Sequence, residues 1–176
     1  MSGTCPATAQ AWSRLIRYGA GAALAGMVAA GSAASANAAE PSTLAVASFD
    51  FKDTFGEVRD QTVEHAARLK AFGAVLQDDL SASPKIDLVA LPCEAGQCGD
   101  LGALATQARA ASAKYLLVGE VHKMSTLVGW VKFAVLDLDD NKPVCDRYLI
   151  YRGDTDEAWQ RAAAFTARDV GKYCMP

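Results

Sequence analysis

An α/β sandwich is the fold class this sequence predicts: one domain with a mixed sheet covered by helices, in the order β-α-β-α-β-β-β-α. Three observations carry that expectation. Lys114 to Asp139 reads as two long strands, the apolar run Tyr115 to Val118 and then Val131, Phe133 and Val135 alternating with Lys132 and Ala134. Two strand-helix pairs precede it, and right-handed crossovers make those early strands largely parallel. Hairpin-type connections and one more helix follow it, so the sheet ends antiparallel.

Taken in order, Thr43 to Phe51 is a first interior strand, apolar at Leu44, Val46, Phe49 and Phe51. A polar turn, Lys52 to Arg59, leads to a helix over Asp60 to Leu80. Its apolar stripe, Ala66, Leu69, Gly73, Leu76 and Leu80, recurs every three or four residues, widened by Phe72 and Val75. Pro84 marks its end. Ile86 to Leu91 is a second strand and Asp100 to Ala113 a second helix, whose small side chains allow close approach. Lys114 to Met124 and Trp130 to Asp139 are the central strands, turned at Ser125 to Gly129, and Val144 to Arg152 is the last. The final helix opens on Asp154, which with Glu157 three residues on has the spacing of a capping box.

The first residues are of another kind. Arg14 and Arg17 precede an uncharged Ala/Gly-rich run, and Ala36-Asn37-Ala38 has the small residues of a cleavage site. Residues 1–38 therefore read as a signal peptide, 39–42 as a short linker and 43–176 as the single domain, in the periplasm or secreted. No Cys stands directly after the apolar run, where acylation would need it, so no lipid anchor is expected, and no stable membrane anchor remains after cleavage. The leader carries two arginines and no acid, which leaves 15 Lys+Arg against 20 Asp+Glu. An acidic domain without a basic cluster is not a nucleic-acid binder.

Four cysteines survive such a cleavage, and an oxidising compartment makes disulfides the default. Cys93 with Cys98 and Cys145 with Cys174 is the favoured pairing of the three possible, worth roughly 2 and 3 to 4 kcal/mol respectively in chain entropy. C-x4-C is not a zinc spacing and both histidines lie far away, so no metal is expected. No phosphate loop, dinucleotide fingerprint or haem-attachment motif occurs, and no cofactor is expected.

The candidate binding residues are Lys123, Ser125, Arg152, Asp154, Asp156, Trp159 and Asp53. Arg152, Asp154, Asp156 and Glu157 form a charged run that Asp53 joins if the strand ends converge, as ligand sites in α/β sheets do. A capped helix with an Arg-carboxylate pair is the plainer account of the same residues. Lys123 and Ser125 are taken as exposed beside the hairpin turn. Glu120 and His122 share a strand face, which suits a general base, but no Ser or Cys nucleophile can be set beside them, so a solvated sheet face is the simpler reading. His65 borders the core, and Trp130 and Trp159 are core side chains whose indole N-H groups need partners. No catalytic set emerges.

With FDFKDT (Phe49 to Thr54), AARL (Ala66 to Leu69), VHKMSTL (Val121 to Leu127) and RGDTDEAW (Arg152 to Trp159) in view, the chain resembles a family of small secreted alphaproteobacterial proteins of unknown function. In that family Asn is common in place of Asp154 and Ser in place of Ala158, and either Asp or Asn caps a helix. The resemblance implies a setting near quinoprotein alcohol oxidation, without an established activity. The strand order is also similar to the N-terminal domain of TolB, a protein-interaction domain. Together these point to a non-catalytic periplasmic accessory protein whose partner is another periplasmic protein. A small-molecule or cofactor carrier is the alternative, with its site between the sheet and the last helix, and a hydrolase using His122 ranks last. The exposed hairpin edge can pair with a second copy as a homodimer.

Overall fold

The structure, a computed structural model, describes residues 40–91 and 100–176, which lie in one unit, Ala38–Pro176. The expected leader and the Cys93 with Cys98 pairing fall outside the described residues. A mixed six-stranded sheet carries three helices, as the hydrophobic periodicity predicts. Its strands are β1 (Ser42–Val46), β2 (Asp50–Asp53), β3 (Ile86–Val89), β4 (Tyr115–Lys123), β5 (Val128–Asp137) and β6 (Lys142–Arg152). The helices are α1 (Thr62–Ser81), α2 (Leu101–Ala110) and α3 (Asp156–Asp169), the last running into a π-helical turn, Val170–Cys174. Among the described residues no helix is long and apolar enough to cross a membrane.

The strand order is β3-β1-β4-β5-β6, with β2 also pairing β4. β1, β2 and β3 make parallel pairs, while β5 and β6 continue the sheet antiparallel. The expected single strand Thr43 to Phe51 is divided. Val46 sits opposite Leu117 and Asp50 opposite Glu120, so the first chain spends one more residue than β4 over the same distance, as at a β-bulge. The irregular stretch turns Phe49 across Gly119, where a Cβ would lie 2.3 Å from the ring. Glycine is the residue that lets the ring sit there.

Two cores follow from strand alternation. Leu44, Leu117, Val121, Val131 and Phe133 face α1 and α3, where they meet Phe72, Leu76, Trp159 and Ala163. Ala45, Leu116 and Leu138 face α2 and Ala108. The α1 stripe lies one position from the expected one: His65, Phe72, Leu76 and Leu80 are buried, whereas Ala66 is exposed. Phe72 outweighs Gly73 in apolar area and sets the direction of the face. With only ten residues, α2 covers one end of its side of the sheet and leaves the Trp130 end of β5 and β6 open.

The expected disulfide between Cys145 and Cys174 is present, with Cα atoms 5.4 Å apart, and it holds the π-helical turn against β6.

Candidate functional site

Lys123 is the last residue of β4 and shares a face with Val121, two positions earlier. That parity takes it inward: the side chain is only 1% exposed, so the expectation of an exposed Lys123 is corrected. Its ammonium needs partners, because an unpaired buried charge costs several kcal/mol or more. Three carboxylates supply them: Glu57 at 2.6 Å, Asp154 at 3.0 Å and Asp53 at 3.6 Å.

Asp154 lies here because Gly153 adopts a positive φ of 89° between β6 and α3. The turn aims the carboxylate under α1 instead of at the first turn of α3. The capping expectation is corrected accordingly: Thr155 is the N-cap, its hydroxyl accepting from the Ala158 amide. Asp154 instead accepts hydrogen bonds from His65 Nε2 and the Trp159 indole, both at 3.0 Å, and forms ion pairs with Lys123 and with Arg68 at 3.1 Å. Arg68 also holds the exposed Asp156 at 2.8 Å. Glu57 takes a further hydrogen bond from Gln61. Asp53 divides its oxygens, one accepting the Phe55 amide and the other facing Lys123.

The electrostatics lock these charges in place. Burial pushes the Asp154 pKa up, but hydrogen bonds from His65, Lys123 and Trp159 outweigh it and bring the value from 3.8 to about 2. Burial alone would lower Lys123, yet its bonds to Glu57 and Asp154 raise it above the usual lysine value. A lysine so held is an ammonium at neutral pH, which excludes the free amine that nucleophilic catalysis requires. Lys123 Nζ also approaches His65 Nε2 to 3.5 Å, but that nitrogen must donate to the ionised Asp154, so its proton faces the carboxylate. Phe51 and Trp159 pack on the His65 ring. A depression of about 430 Å³, lined by Asp53, Glu57, Gln61 and His65, opens beside the cluster.

The candidate residues thus separate into two groups. Lys123, Asp53, Asp154 and Trp159 come together, with Asp156 attached through Arg68. Ser125 and Arg152 do not join them. The Ser125 hydroxyl accepts the Leu127 and Val128 amides and shapes the β4-β5 turn. Arg152 is exposed and pairs in register with Val128 on the opposite face. Sequence reasoning missed Glu57, His65 and Arg68 as members; the available signal was His65 and Arg68, three apart on the inner side of α1.

On the other sheet face His122 and Glu120 lie together as alternation predicts, but His122 is largely buried instead of solvated. Its Nε2 meets Thr54 Oγ1 at 2.7 Å and its ring abuts Trp130 edge-on. Trp130 is not a core residue: it is half-buried and lies beside the exposed Tyr148, ring centroids 5.5 Å apart, with Ile150 its β6 partner. A groove of about 700 Å³ borders it, lined by Asp50, Asp100, Glu120, Lys132 and Asp146 among others. The space between the sheet and α3, where a carrier would need its cavity, is filled by Trp159, Ala163, Ala167 and Val170.

A family model, DUF3280, described as "Protein of unknown function (DUF2380)", matches residues 42–170, from the first residue of β1 to the first residue of the π-helical turn after α3. The chain belongs to DUF3280. No curated protein matches this DUF3280 chain. Among solved structures it is similar to the hypothetical protein CT253 from Chlamydia trachomatis, at 13% identity and TM-score 0.52, over 75% of this chain and 97% of that one. A PelC dodecamer from Paraburkholderia phytofirmans is similar at 17% identity and TM-score 0.49, covering 72% and 85%. TolB from Acinetobacter baumannii follows at 12% identity and TM-score 0.47, covering 77% of this chain and 29% of that one. The likeness to CT253 is one of fold.

Proposed function

We propose that this DUF3280 chain is an exported periplasmic accessory protein without catalytic activity, which docks another envelope protein on the open sheet face. The observation that carries the reading is the apolar row left uncovered by α2: Trp130 flanked by Tyr148 and Ile150, 54% and 65% exposed, with Val128 and Leu127 beyond. Contiguous apolar surface of this kind marks interaction sites. The Lys123 cluster supports the non-catalytic part, since each of its charges is held by a partner within the protein. Residues 1–38 act in this reading as the removable leader that delivers the domain. The link to alphaproteobacterial quinoprotein alcohol oxidation rests on sequence resemblance alone and names the first partners to test.

Capture of partners from a periplasmic extract by the wild-type chain and by Trp130→Ser and Ile150→Ser variants tests it. Loss of an aromatic anchor at an interface centre costs about 2 kcal/mol or more. Each variant should therefore retain its fold by circular dichroism and lose at least about tenfold of the captured partner. Undiminished capture would overturn the open face as the docking surface.

A further inference from the structure

The two edges of the sheet are unequal. β3 closes one edge with four residues, Ile86–Val89, whereas β6 closes the other with eleven, Lys142–Arg152. Natural proteins shorten, kink or charge an edge strand to stop it from pairing. β6 is kinked only near its start, by Pro143 and the register shift opposite Val135 and Leu136, and beyond that it carries a mixed set of charges, Asp146, Arg147 and Arg152. From Asp146 to Arg152 it runs regularly beside β5, with no proline and no lysine.

The phase of the ladder decides which backbone groups this edge offers. The Gly153 amide bonds the Leu127 carbonyl, and Val128 lies opposite Arg152. In an antiparallel ladder the inward and outward groups alternate, so the amides and carbonyls of Asp146, Tyr148, Ile150 and Arg152 point away from β5. The same four side chains lie on the open face and are exposed.

We propose that β6 pairs antiparallel with β6 of a second copy of this chain, in the register centred on Leu149. This deepens the interaction reading above and uses the edge of the surface assigned there. A twofold axis normal to the sheet keeps the two open faces continuous. About Leu149, Asp146 stands opposite Arg152 of the second copy and Tyr148 opposite its Ile150, and symmetry repeats both pairs. On the other face Leu149 meets its own equivalent, and Arg147 meets Tyr151 of the second copy. Opposite charges and aromatic-aliphatic pairs are the combinations that stabilise cross-strand neighbours. Neighbouring registers lose this match: centring on Tyr148 sets Asp146 against Ile150 and Arg152 against Val144, and centring on Arg147 sets that arginine against itself. Charge complementarity within one strand thus selects a second copy over an unrelated strand, and selects one register.

The test uses charge exchange. The purified wild-type chain should sediment as a dimer in the micromolar range. Asp146→Arg alone places like charges at both symmetry-related pairs, as does Arg152→Asp alone, and each should weaken self-association by about tenfold or more. An equimolar mixture of the two variants recreates opposite charges at both pairs, so it should dimerise as one heterodimer with an affinity near that of the wild type. Thermal melts monitored by circular dichroism establish that the exposed substitutions leave the fold intact. A monomeric wild-type chain would overturn the proposal. So would a dimer indifferent to both single substitutions, or variants that fail to rescue each other. Loss of partner capture on Trp130→Ser with the dimer unchanged would leave the two readings separately judged, because Trp130 lies on β5 and not on the shared edge.

Discussion

Asp154 concentrates the energetics of the molecule in one side chain, with His65, Lys123, Arg68 and Trp159 all directed at it. Replacing one partner in a buried charge network leaves the others uncompensated, at about 3 to 5 kcal/mol. Asp154→Ala should lower the unfolding free energy measured in urea by that order, and a change below about 1 kcal/mol would mean that water replaces the carboxylate freely. The pH dependence has a definite sign. Its folded pKa of about 2 lies below the ordinary 3.8, so the stabilisation is complete above that ordinary value and lost as pH falls towards 2. Acid titration of stability should therefore be flatter between pH 4 and pH 2 in Asp154→Ala than in the wild type, with parallel curves refuting the assignment. The inward direction of Lys123 was legible from strand parity, two residues after Val121. Its partners were not, because Glu57 and Asp154 come from loops on distant segments, and no local pattern links them.

At the scale of elements, periodicity located the three α-helices and all strands but one among the described residues. The first strand sets large apolar residues at Leu44 and Val46 and again at Phe49 and Phe51, and the odd step from Val46 to Phe49 was the one mark of where β1 yields to β2. The cause lies on the neighbouring strand, where Gly119 makes room for the Phe49 ring. Gly119→Ala should cost about 1 to 3 kcal/mol by overpacking, since Phe49 is itself buried and cannot swing clear. Combining it with Phe49→Leu should recover part of that loss in a double-mutant cycle, and strict additivity would show that the ring does not determine the glycine. The one-residue rotation of the α1 stripe has a similar origin. Both settings contain Leu76 and Leu80, and only packing against Phe49 and Phe51 brings Phe72 and His65 inward.

For the whole molecule, the mixed sheet and its unequal coverage were legible, because Tyr115 to Val118 is apolar on both faces and Val131 to Val135 on one, while the position of Trp130 on the open face was not. The shortness of α2 leaves Trp130 in the open, although its residue type alone argued for the interior. The Cys145 to Cys174 bond ties the chain end to the longest edge strand across 29 residues, and removing it with Cys174→Ser should cost roughly 3 to 4 kcal/mol of global stability. Denaturant unfolding with and without reductant measures this; coincident curves would show that the π-helical turn contributes nothing to the folded domain.

The charge cluster also dates itself within folding. Its contacts to α1 and to the loop after β2 join residues 58 to 89 positions apart, and it brings together that loop, the end of β4 and the turn after β6. Contacts of this span cost loop-closure entropy before they return energy, so the cluster is expected to close after the strands that carry it have paired, on the native side of the rate-limiting barrier. Their loss is then felt on the escape side of that barrier: Asp154→Ala shortens the lifetime of the native state while leaving the speed of reaching it nearly unchanged. Lys123 and its carboxylates act as a latch, engaged last and deciding how long the finished protein stays shut.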